Sequence, residues 1–295
     1  MQASHCKGRC CEPTDRGFSA MNRVRALIIA SHPGPSLAIT AMATLLAAEA
    51  APHGIGPVLT APAMLAGQLS VGWSNDACDA RRDAAAGRTD KPIAAGAISV
   101  RAVWIAAFVS LLAGLAMALA ISVPTLLILI VVIGAAWAYN LGLKSTAWSG
   151  LMYVAGFGPI PAYAASTLPG HPAPRWSVTA AAALVGLGAH FANVLPDLTG
   201  DQATGVKGLP QQVAARWGPG AVRAAALVLL LAASVLLVLA ASDARRWVAI
   251  AGLVAAAVLG VIGARGSGRV PFYAALGIAA IDVVLFAAGG EALTS

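Results

Sequence analysis

The chain has 295 residues, of which 59% are hydrophobic and only 11% are charged, and its mean hydropathy is +0.78. A soluble domain is typically about 45 to 50% apolar, so this composition argues against a soluble enzyme and indicates a polytopic membrane protein. Apolar runs recur to the C-terminus while Met1 to Arg25 is polar and basic, so a signal peptide does not account for the hydropathy.

The first 25 residues differ in composition from the rest. We expect residues 1–25 to form a disordered cytoplasmic tail and residues 26–295 to form a single transmembrane domain. The four cysteines fall in segments that we expect in the cytoplasm, where thiols stay reduced. No disulfide framework is therefore expected.

Nine segments are long and apolar enough to cross a bilayer, since a span needs about 20 predominantly apolar residues. They are residues 26–49, 55–74, 102–122, 124–140, 148–167, 177–196, 221–241, 247–264 and 270–289. The third and fourth are separated only by a tight turn at Ser122, Val123 and Pro124. The sequence therefore predicts an all-α polytopic membrane protein of about nine helices.

The basic residues predict the orientation of these spans. With the N-terminus inside, sixteen of the nineteen Lys and Arg fall in inner segments, and three, Arg175, Arg245 and Arg246, fall outside. Cytoplasmic loops retain Lys and Arg, so we expect a multi-pass cell (inner) membrane protein with its N-terminus in the cytoplasm and its C-terminus outside. This retention and attraction to anionic lipid headgroups explain the net charge of +7 without a nucleic-acid partner.

An acidic pattern occurs twice. Asn75, Asp79 and Asp83 follow the second span, and Asn193, Asp197 and Asp201 follow the sixth span with the same spacing, 118 positions later. Four spans separate the copies, so both are expected at the cytoplasmic mouth. This arrangement is typical of an internal repeat of two four-helix halves, here with a ninth helix appended.

The spacing of each copy indicates a metal site. On a helix, positions i, i+4 and i+8 form one drifting stripe, so each copy would aim an amide and two carboxylates in the same direction. Mg²⁺ in proteins is typically bound by one or two carboxylates together with waters and substrate phosphates. We interpret Asp76, off this stripe, as a helix N-cap or a group that supports the ligands.

Basic residues near the two copies predict an anionic substrate. Arg88 and Lys91 follow the first copy, Lys144 follows the fourth span, and Lys207 follows the second copy. They are candidates to bind a diphosphate, although each could instead be an anchor that sets the topology.

Polar residues inside the spans suggest a pocket beneath the acids. Gln68 and His190 lie seven residues before Asn75 and Asp197, so on helices they would face the same way, one to two turns deeper. His32, before Pro33 in the first span, is a similar candidate, whereas Asp282 in the last span has no evident partner. Such side chains face a cavity, or they form hydrogen bonds between helices.

These residues resemble the UbiA superfamily of intramembrane prenyltransferases, and the resemblance covers nearly the whole chain. It includes the run from Asn75 to Asp83, the following Arg88 to Ile93, the loop from Tyr139 to Lys144, and Asp197 with Asp201 and Gly205. The resemblance implies a helical bundle with a central cavity that two Asp-rich segments cap on the cytoplasmic side.

The resemblance also implies roles for individual residues. Mg²⁺, and through it the diphosphate, would be held by Asn75, Asp79, Asp83, Asp197 and Asp201, of which the four aspartates are the catalytic candidates. Lys144 and the basic residues near Lys91 would contact the diphosphate, and Tyr139, with His32, Gln68, His190 and Asn193, would line the prenyl or acceptor pocket. Many members have Arg in place of Lys91, a change that is tolerable for a point charge. Many also have Arg-Pro in place of His32-Pro33, and this difference puts a carboxylate-anchored acceptor in doubt.

The expected activity is Mg²⁺-dependent transfer of a polyprenyl group from an allylic diphosphate to a lipophilic, aromatic, quinone-precursor-like acceptor. The Tyr139 to Lys144 spacing resembles the menaquinone-type branch. Alternatives are a terpene cyclase or a lipid-phosphate transferase of the same fold and, from another class, a secondary transporter. A transporter site is expected near the bilayer midplane, whereas these acids cluster at one mouth.

Overall fold

The computed structural model describes residues 22–50, 56–198 and 207–288, and within these ranges all regular secondary structure is helical. The helices are, in chain order, α1 (Arg23–Ala30), α2 (Pro33–Ala50), α3 (Gly56–Ala85), α4 (Val100–Ile121), α5 (Val123–Asn140), α6 (Ser149–Phe157), α7 (Ile160–Ala165), α8 (Trp176–Val194), α9 (Leu209–Trp217), α10 (Pro219–Ala240), α11 (Arg246–Arg265) and α12 (Val270–Ala288). A 3₁₀ turn, Leu143–Ser145, follows α5. The predicted all-α class is confirmed for this part of the chain.

Several of these helices can cross a membrane. Helices α4, α5, α8, α10 and α11 are each long and apolar enough, and α1 with α2 makes a sixth span, bent by 60°, if the two are counted together. The other predicted spans, 55–74, 148–167 and 270–289, coincide with α3, with the pair α6 and α7, and with α12. The membrane class is confirmed, while the number of nine spans stays a prediction.

The break between α1 and α2 places the first span against α3. His32 has a φ of +51° and precedes Pro33, whose missing N–H cannot continue the helical hydrogen bonds. The broken turn lies on Gly72, where a Cβ atom would come within 2.1 Å of the Ser31 carbonyl oxygen. Trp73 also donates from Nε1 to the Leu27 carbonyl oxygen at 2.9 Å. The helix break is therefore fixed directly beside the first acidic copy.

The packing is similar in the two halves of the chain. The helix that carries the first copy, α3, packs mainly on α4, and α8, which leads to the second copy, packs mainly on α10. Helix α12 contacts α8, α10 and α2, so the end of the chain packs against its beginning. Small residues allow close approach, as at Gly114, where a Cβ would lie 3.0 Å from the Ala63 carbonyl oxygen.

Exposed tryptophans mark both ends of the bundle. Trp148 and Trp217 are 63% and 65% exposed at the end where the acidic copies lie, and Trp176 and Trp247 are 76% and 79% exposed at the other end. Tryptophan is enriched at the two interfaces of a membrane with water. The acidic copies therefore lie at one interface of the bundle and not at mid-depth.

Candidate active site

The first acidic copy lies on a continuous helix. Helix α3 continues eleven residues beyond the predicted span 55–74, so Asn75, Asp79 and Asp83 belong to one helix. Asn75 donates from Nδ2 to Oδ1 of Asn140 at 3.0 Å, and Asn140 donates in turn to Oγ of Ser74 at 2.8 Å. The end of α5 thus orients the amide of the first copy.

Asp79 is bound by two cations. The Lys144 ammonium contacts Oδ1, and Arg82 donates from Nη2 to Oδ2 at 3.0 Å. The side chains of Asp79 and Lys144 are only 12% and 14% exposed. Lys144 belongs to the 3₁₀ turn after α5, so this turn brings a basic residue onto the acidic stripe.

Asp83 is the most enclosed carboxylate of the stripe. It is 6% exposed, and burial raises its pKa above the ordinary value, an effect that the charge of Lys91 opposes and the charge of Asp79 reinforces. A metal cation beside Asp83 would favour the ionised form that burial disfavours.

Asp76 is buried within α3, so the N-cap interpretation is wrong. Its Oδ1 atom lies 2.7 Å from Nε2 of His32 and 2.7 Å from Nζ of Lys91. Burial, the largest influence, disfavours the carboxylate, but hydrogen bonds from His32 and Lys91 outweigh it and hold the pKa of Asp76 below its ordinary value. His32 and Lys91 therefore both contact Asp76. Neither contact was predicted from the sequence.

The second copy has a different backbone from the first. Asn193 lies in the last turn of α8, whereas Asp197 lies in a turn beyond it, and both side chains are exposed. Pro196 has no N–H to continue the helix, and the N–H of Asp197 instead bonds to the Val194 carbonyl oxygen at 3.2 Å. The predicted helical stripe is therefore wrong at Asp197, and Asp201 lies outside the described residues.

Arg88 connects the two copies electrostatically. Its guanidinium donates from Nε and Nη2 to the two carboxylate oxygens of Asp90, each at 2.8 Å. The Asp90 hydrogen bond raises the pKa of Arg88 despite partial burial, and the charges of Asp90, Asp83 and Asp197 add to this effect. Asp83 and Asp197 are therefore both close enough to Arg88 for their charges to act on its guanidinium.

The described residues do not by themselves complete a metal site. Across residues 22–50, 56–198 and 207–288, no three His, Cys, Asp or Glu side chains are grouped closely enough to hold a metal ion. The oxygen donors of Asn75 and Asp79 suit a hard cation that takes further ligands from water and phosphate. The ammonium of Lys144 on Asp79 also marks a position where a cation is stable.

An aromatic cluster lies between α5, α6 and α8. The rings of Tyr153 and His190 stack with centroids 4.4 Å apart, and Tyr139 meets both rings edge-on at 5.2 and 5.8 Å. His190 is 1% exposed, and its Nε2 lies 2.9 Å from Oγ of Ser149. The predicted pocket residues Tyr139 and His190 are thus brought together.

Other predicted residues lie apart from this aromatic cluster. Gln68 is buried on α3, where Nε2 faces the Met64 sulfur at 3.7 Å. Lys207 is exposed just before α9.

Cluster residues that the sequence did not single out include Ser149, which also accepts a hydrogen bond at 2.8 Å from the N–H of Leu209. Ser149 thereby connects α6, α8 and the start of α9. A single serine belongs to no repeated spacing in the sequence, so the sequence analysis could not identify it.

Comparisons with known proteins found matches to both the sequence and the fold of this chain. Residues 36–287 match the model of the UbiA prenyltransferase family. A UbiA homologue from Archaeoglobus fulgidus, in a structure bound to GPP and Mg²⁺, is 16% identical with a TM-score of 0.67, covering 91% of this chain and 100% of that one. An apo UbiA homologue from Aeropyrum pernix K1 is 20% identical with a TM-score of 0.62, covering 90% and 99%.

A third similar structure is that of a digeranylgeranylglyceryl phosphate synthase, 14% identical with a TM-score of 0.65, covering 92% of this chain and all of that one. No curated protein sequence matches the chain. At these identities the solved structures establish a shared fold, whereas the family match extends over most of the sequence. The chain is a member of the UbiA prenyltransferase family.

Proposed function

We propose that this protein is a Mg²⁺-dependent intramembrane prenyltransferase that transfers a polyprenyl group from an allylic diphosphate to a lipophilic, aromatic, quinone-precursor-like acceptor. The observation that carries the proposal is the position of Lys144, which bonds to Asp79 of the first copy. Its carbonyl oxygen lies 2.7 Å from where a Cβ atom would stand on Gly208, seven residues after Asp201 of the second copy. Lys144 thus lies on the first copy and beside the segment that follows the second, which supports diphosphate binding through a metal held by both copies.

The metal ligands in this proposal are Asn75, Asp79, Asp83, Asp197 and Asp201. Bound Mg²⁺ would neutralise charge on the diphosphate oxygens and so favour departure of the diphosphate. The carboxylates of Asp79 and Asp197 contribute from opposite copies. Four carboxylates held close together without cations would repel one another. The ion pair between Lys144 and Asp79 is consistent with this need for a cation.

The basic residues bind the remaining charge of the substrate. Lys91 and Lys144 reach the acidic segment of α3 from two different connecting segments, and the charges of acids from both copies act on Arg88. As the C–O bond of the allylic diphosphate breaks, both electrons leave with the diphosphate, and these cations stabilise the added negative charge. Lys207 is assigned to the same group because it follows the second copy in sequence.

The other product of that step is an allylic carbocation, which needs walls that exclude water. The aromatic cluster of Tyr139, Tyr153 and His190 offers such a wall, and we assign Gln68 and Asn193 to the remainder of the pocket. The acceptor carbon forms the new C–C bond and then loses a proton. His190 or the departed diphosphate accepts this proton.

We further propose that the acidic face is cytoplasmic, with the N-terminus inside and the C-terminus outside. The basic residues Arg81, Arg82 and Arg88 lie on the acidic face, whereas Arg245 pairs with Glu49, at the far end of α2. Retention of Lys and Arg on the cytoplasmic side supports this orientation.

The test is transfer in isolated membranes. Labelled prenyl diphosphates of several chain lengths are supplied with Mg²⁺ or with a chelator, and the labelled lipid product is identified. We expect Mg²⁺-dependent incorporation that Asp79→Ala and Asp197→Ala each lower about 100-fold or more. Asp243→Asn, at an exposed acid on the far face, is the matched control and retains activity.

Three outcomes would replace the proposal with another function. Label recovered as a free cyclic hydrocarbon would identify a cyclase, and label on a phosphorylated lipid would identify a lipid-phosphate transferase. Uptake of the unchanged diphosphate into sealed vesicles would identify a transporter. Full activity in both alanine variants would remove the acidic copies from the mechanism.

A further inference from the structure

Asp76 is a buried acid that the proposed mechanism does not use. It is 3% exposed and adjacent in sequence to Asn75, and it is not among the proposed metal ligands. A carboxylate is stable in such a place only when it is paired and hydrogen-bonded. The identity of its partners therefore indicates what this acid does.

Both partners of Asp76 converge on a single oxygen. Nε2 of His32 and Nζ of Lys91 each lie 2.7 Å from Oδ1, and these two nitrogen atoms are 3.3 Å apart. His32 comes from the break between α1 and α2, and Lys91 comes from the segment between α3 and α4. One carboxylate oxygen of Asp76 thus holds the Lys91 ammonium beside both α3 and the break between α1 and α2.

Lys91 is the residue in this group whose side chain needs to be held in position. Its side chain is flexible and ends in a point charge, so on its own it would take many positions. On a helix, Asp76 and Asp83 are seven residues apart and share one face, about 10 Å apart along the axis. The ammonium of Lys91 bonds to Asp76, and its charge acts on Asp83. Lys91 is therefore directed along the face of α3 that carries the proposed metal ligand Asp83.

The other lysine of the site is held differently. Lys144 bonds to Asp79, which is itself a proposed metal ligand, so Lys144 and a metal ion compete for the same carboxylate. Asp76 is outside the ligand set and can keep Lys91 in place while metal is bound. Of the two lysines, Lys91 alone has an anchor that metal binding leaves intact.

We propose that Asp76 is a positioning residue that, together with His32, holds the Lys91 ammonium where it meets the diphosphate of the substrate. This inference rests on the proposed function. It assigns the Asp76 carboxylate to substrate binding through Lys91, and it assigns His32 to the same unit instead of to the acceptor pocket.

A double-mutant cycle tests this proposal in the full-length protein. Asp76→Asn, Lys91→Gln and the double variant are compared with the wild type, and Asp243→Asn serves as the matched acid-to-amide control on the far face. The KM for the prenyl diphosphate at saturating Mg²⁺, the KM for Mg²⁺, kcat and Tm are measured for each. Energies of residues that act as one unit are not additive.

We expect Asp76→Asn and Lys91→Gln each to raise the diphosphate KM about tenfold, the loss typical of a hydrogen bond to a charged group. The double variant should be no weaker than Lys91→Gln alone, and the KM for Mg²⁺ should stay at the wild-type value in all three. Additive effects, or a diphosphate KM unchanged in Asp76→Asn, would overturn the proposal. A raised KM for Mg²⁺ in Asp76→Asn would make Asp76 a metal ligand instead.

A second cycle covers the case in which Asp76→Asn does not accumulate in the membrane. His32→Asn should raise the diphosphate KM severalfold in the wild-type background and have no effect in the Lys91→Gln background. An equal effect in both backgrounds would overturn the proposal. If the wild type and Asp243→Asn show no Mg²⁺-dependent transfer, the proposed function fails and this inference fails with it. A failure confined to the cycles leaves the proposed function intact.

Discussion

The acids of the first copy each lie beside a cation. Asp79 bonds to Lys144, Asp76 bonds to Lys91, and Asp83 lies within the electrostatic reach of Lys91. These pairings explain how several carboxylates share one short helical segment without unfolding it by repulsion. They also mean that a diphosphate and its metal must compete with contacts already present in the free chain.

Arg88 shows this competition most clearly, because Asp90 accepts hydrogen bonds from both Nε and Nη2 along one edge of its guanidinium. We predict that Asp90→Asn frees Arg88 and lowers the KM for the prenyl diphosphate. The side chains of Arg88 and Asp90 are 47% and 63% exposed, and exposed pairs contribute up to about 1 kcal/mol. The expected decrease in KM is therefore less than about fivefold.

Steady-state kinetics at fixed Mg²⁺ measures this effect, with Asp243→Asn as the control. A diphosphate KM that rises in Asp90→Asn would indicate that Asp90 helps to bind the substrate or orients Arg88 towards it. That result would contradict the competition described here.

At the scale of elements, the break between α1 and α2 is fixed by the helix against which it packs. The Ser31 carbonyl oxygen approaches α3 at Gly72, where any side chain would collide with backbone atoms. His32 follows directly and reaches Asp76 one helical turn beyond Gly72. The glycine therefore sets the distance between the broken span and the acidic stripe.

We predict that Gly72→Ala destabilises the protein and also lowers turnover. Its Cβ atom would lie 2.1 Å from the Ser31 carbonyl oxygen, and backbone cannot rotate away as a side chain can. Overpacking of this kind typically costs about 1 to 3 kcal/mol. A lower Tm in detergent and a higher diphosphate KM, through displacement of His32, are the expected readouts.

Gly134→Ala is the matched control, because a Cβ at Gly134 meets no atom within 4 Å. Alanine is a better helix former than glycine, so this control should leave Tm unchanged or slightly raised. Equal Tm values for the two variants would show that α1 and α2 can move away from α3 without loss.

The two acidic copies show how far sequence spacing predicts local structure. The repeat at i, i+4 and i+8 correctly placed Asn75, Asp79 and Asp83 on one face, because α3 continues as a helix past the predicted span. The same spacing failed at Asp197, because Pro196 ends the regular hydrogen bonding of α8. Equal spacing therefore produced two different backbones.

At the scale of the whole molecule, apolar segments predicted the helices well. A span in the bilayer must satisfy its own backbone N–H and C=O groups, which a helix does. The contacts of the site were harder to predict. Asp76 with His32, Asn75 with Asn140, and Ser149 with its partners all join helices that are far apart in sequence. A single polar residue such as Ser149 carries no periodic signal, so only the packed bundle reveals its partners.

The account of the whole molecule depends on one claim, that acids from both halves of the chain act together on a metal and a diphosphate. The charges of Asp83 and Asp197 both act on Arg88, and Lys144, which bonds to Asp79, lies beside Gly208 in the segment that follows the second copy. Each copy supplies carboxylates for a metal ion, and Mg²⁺ takes its remaining ligands from water and phosphate, so a diphosphate would join the metal held by the two copies. Binding should therefore require both copies and the metal at once.

Equilibrium binding of labelled geranyl diphosphate to the purified protein tests this claim most directly. The account predicts binding that a chelator abolishes, that Mg²⁺ restores, and that Asp79→Ala and Asp197→Ala each weaken by about 10 to 100-fold. Binding that is independent of Mg²⁺, or that survives unchanged in either variant, would contradict it.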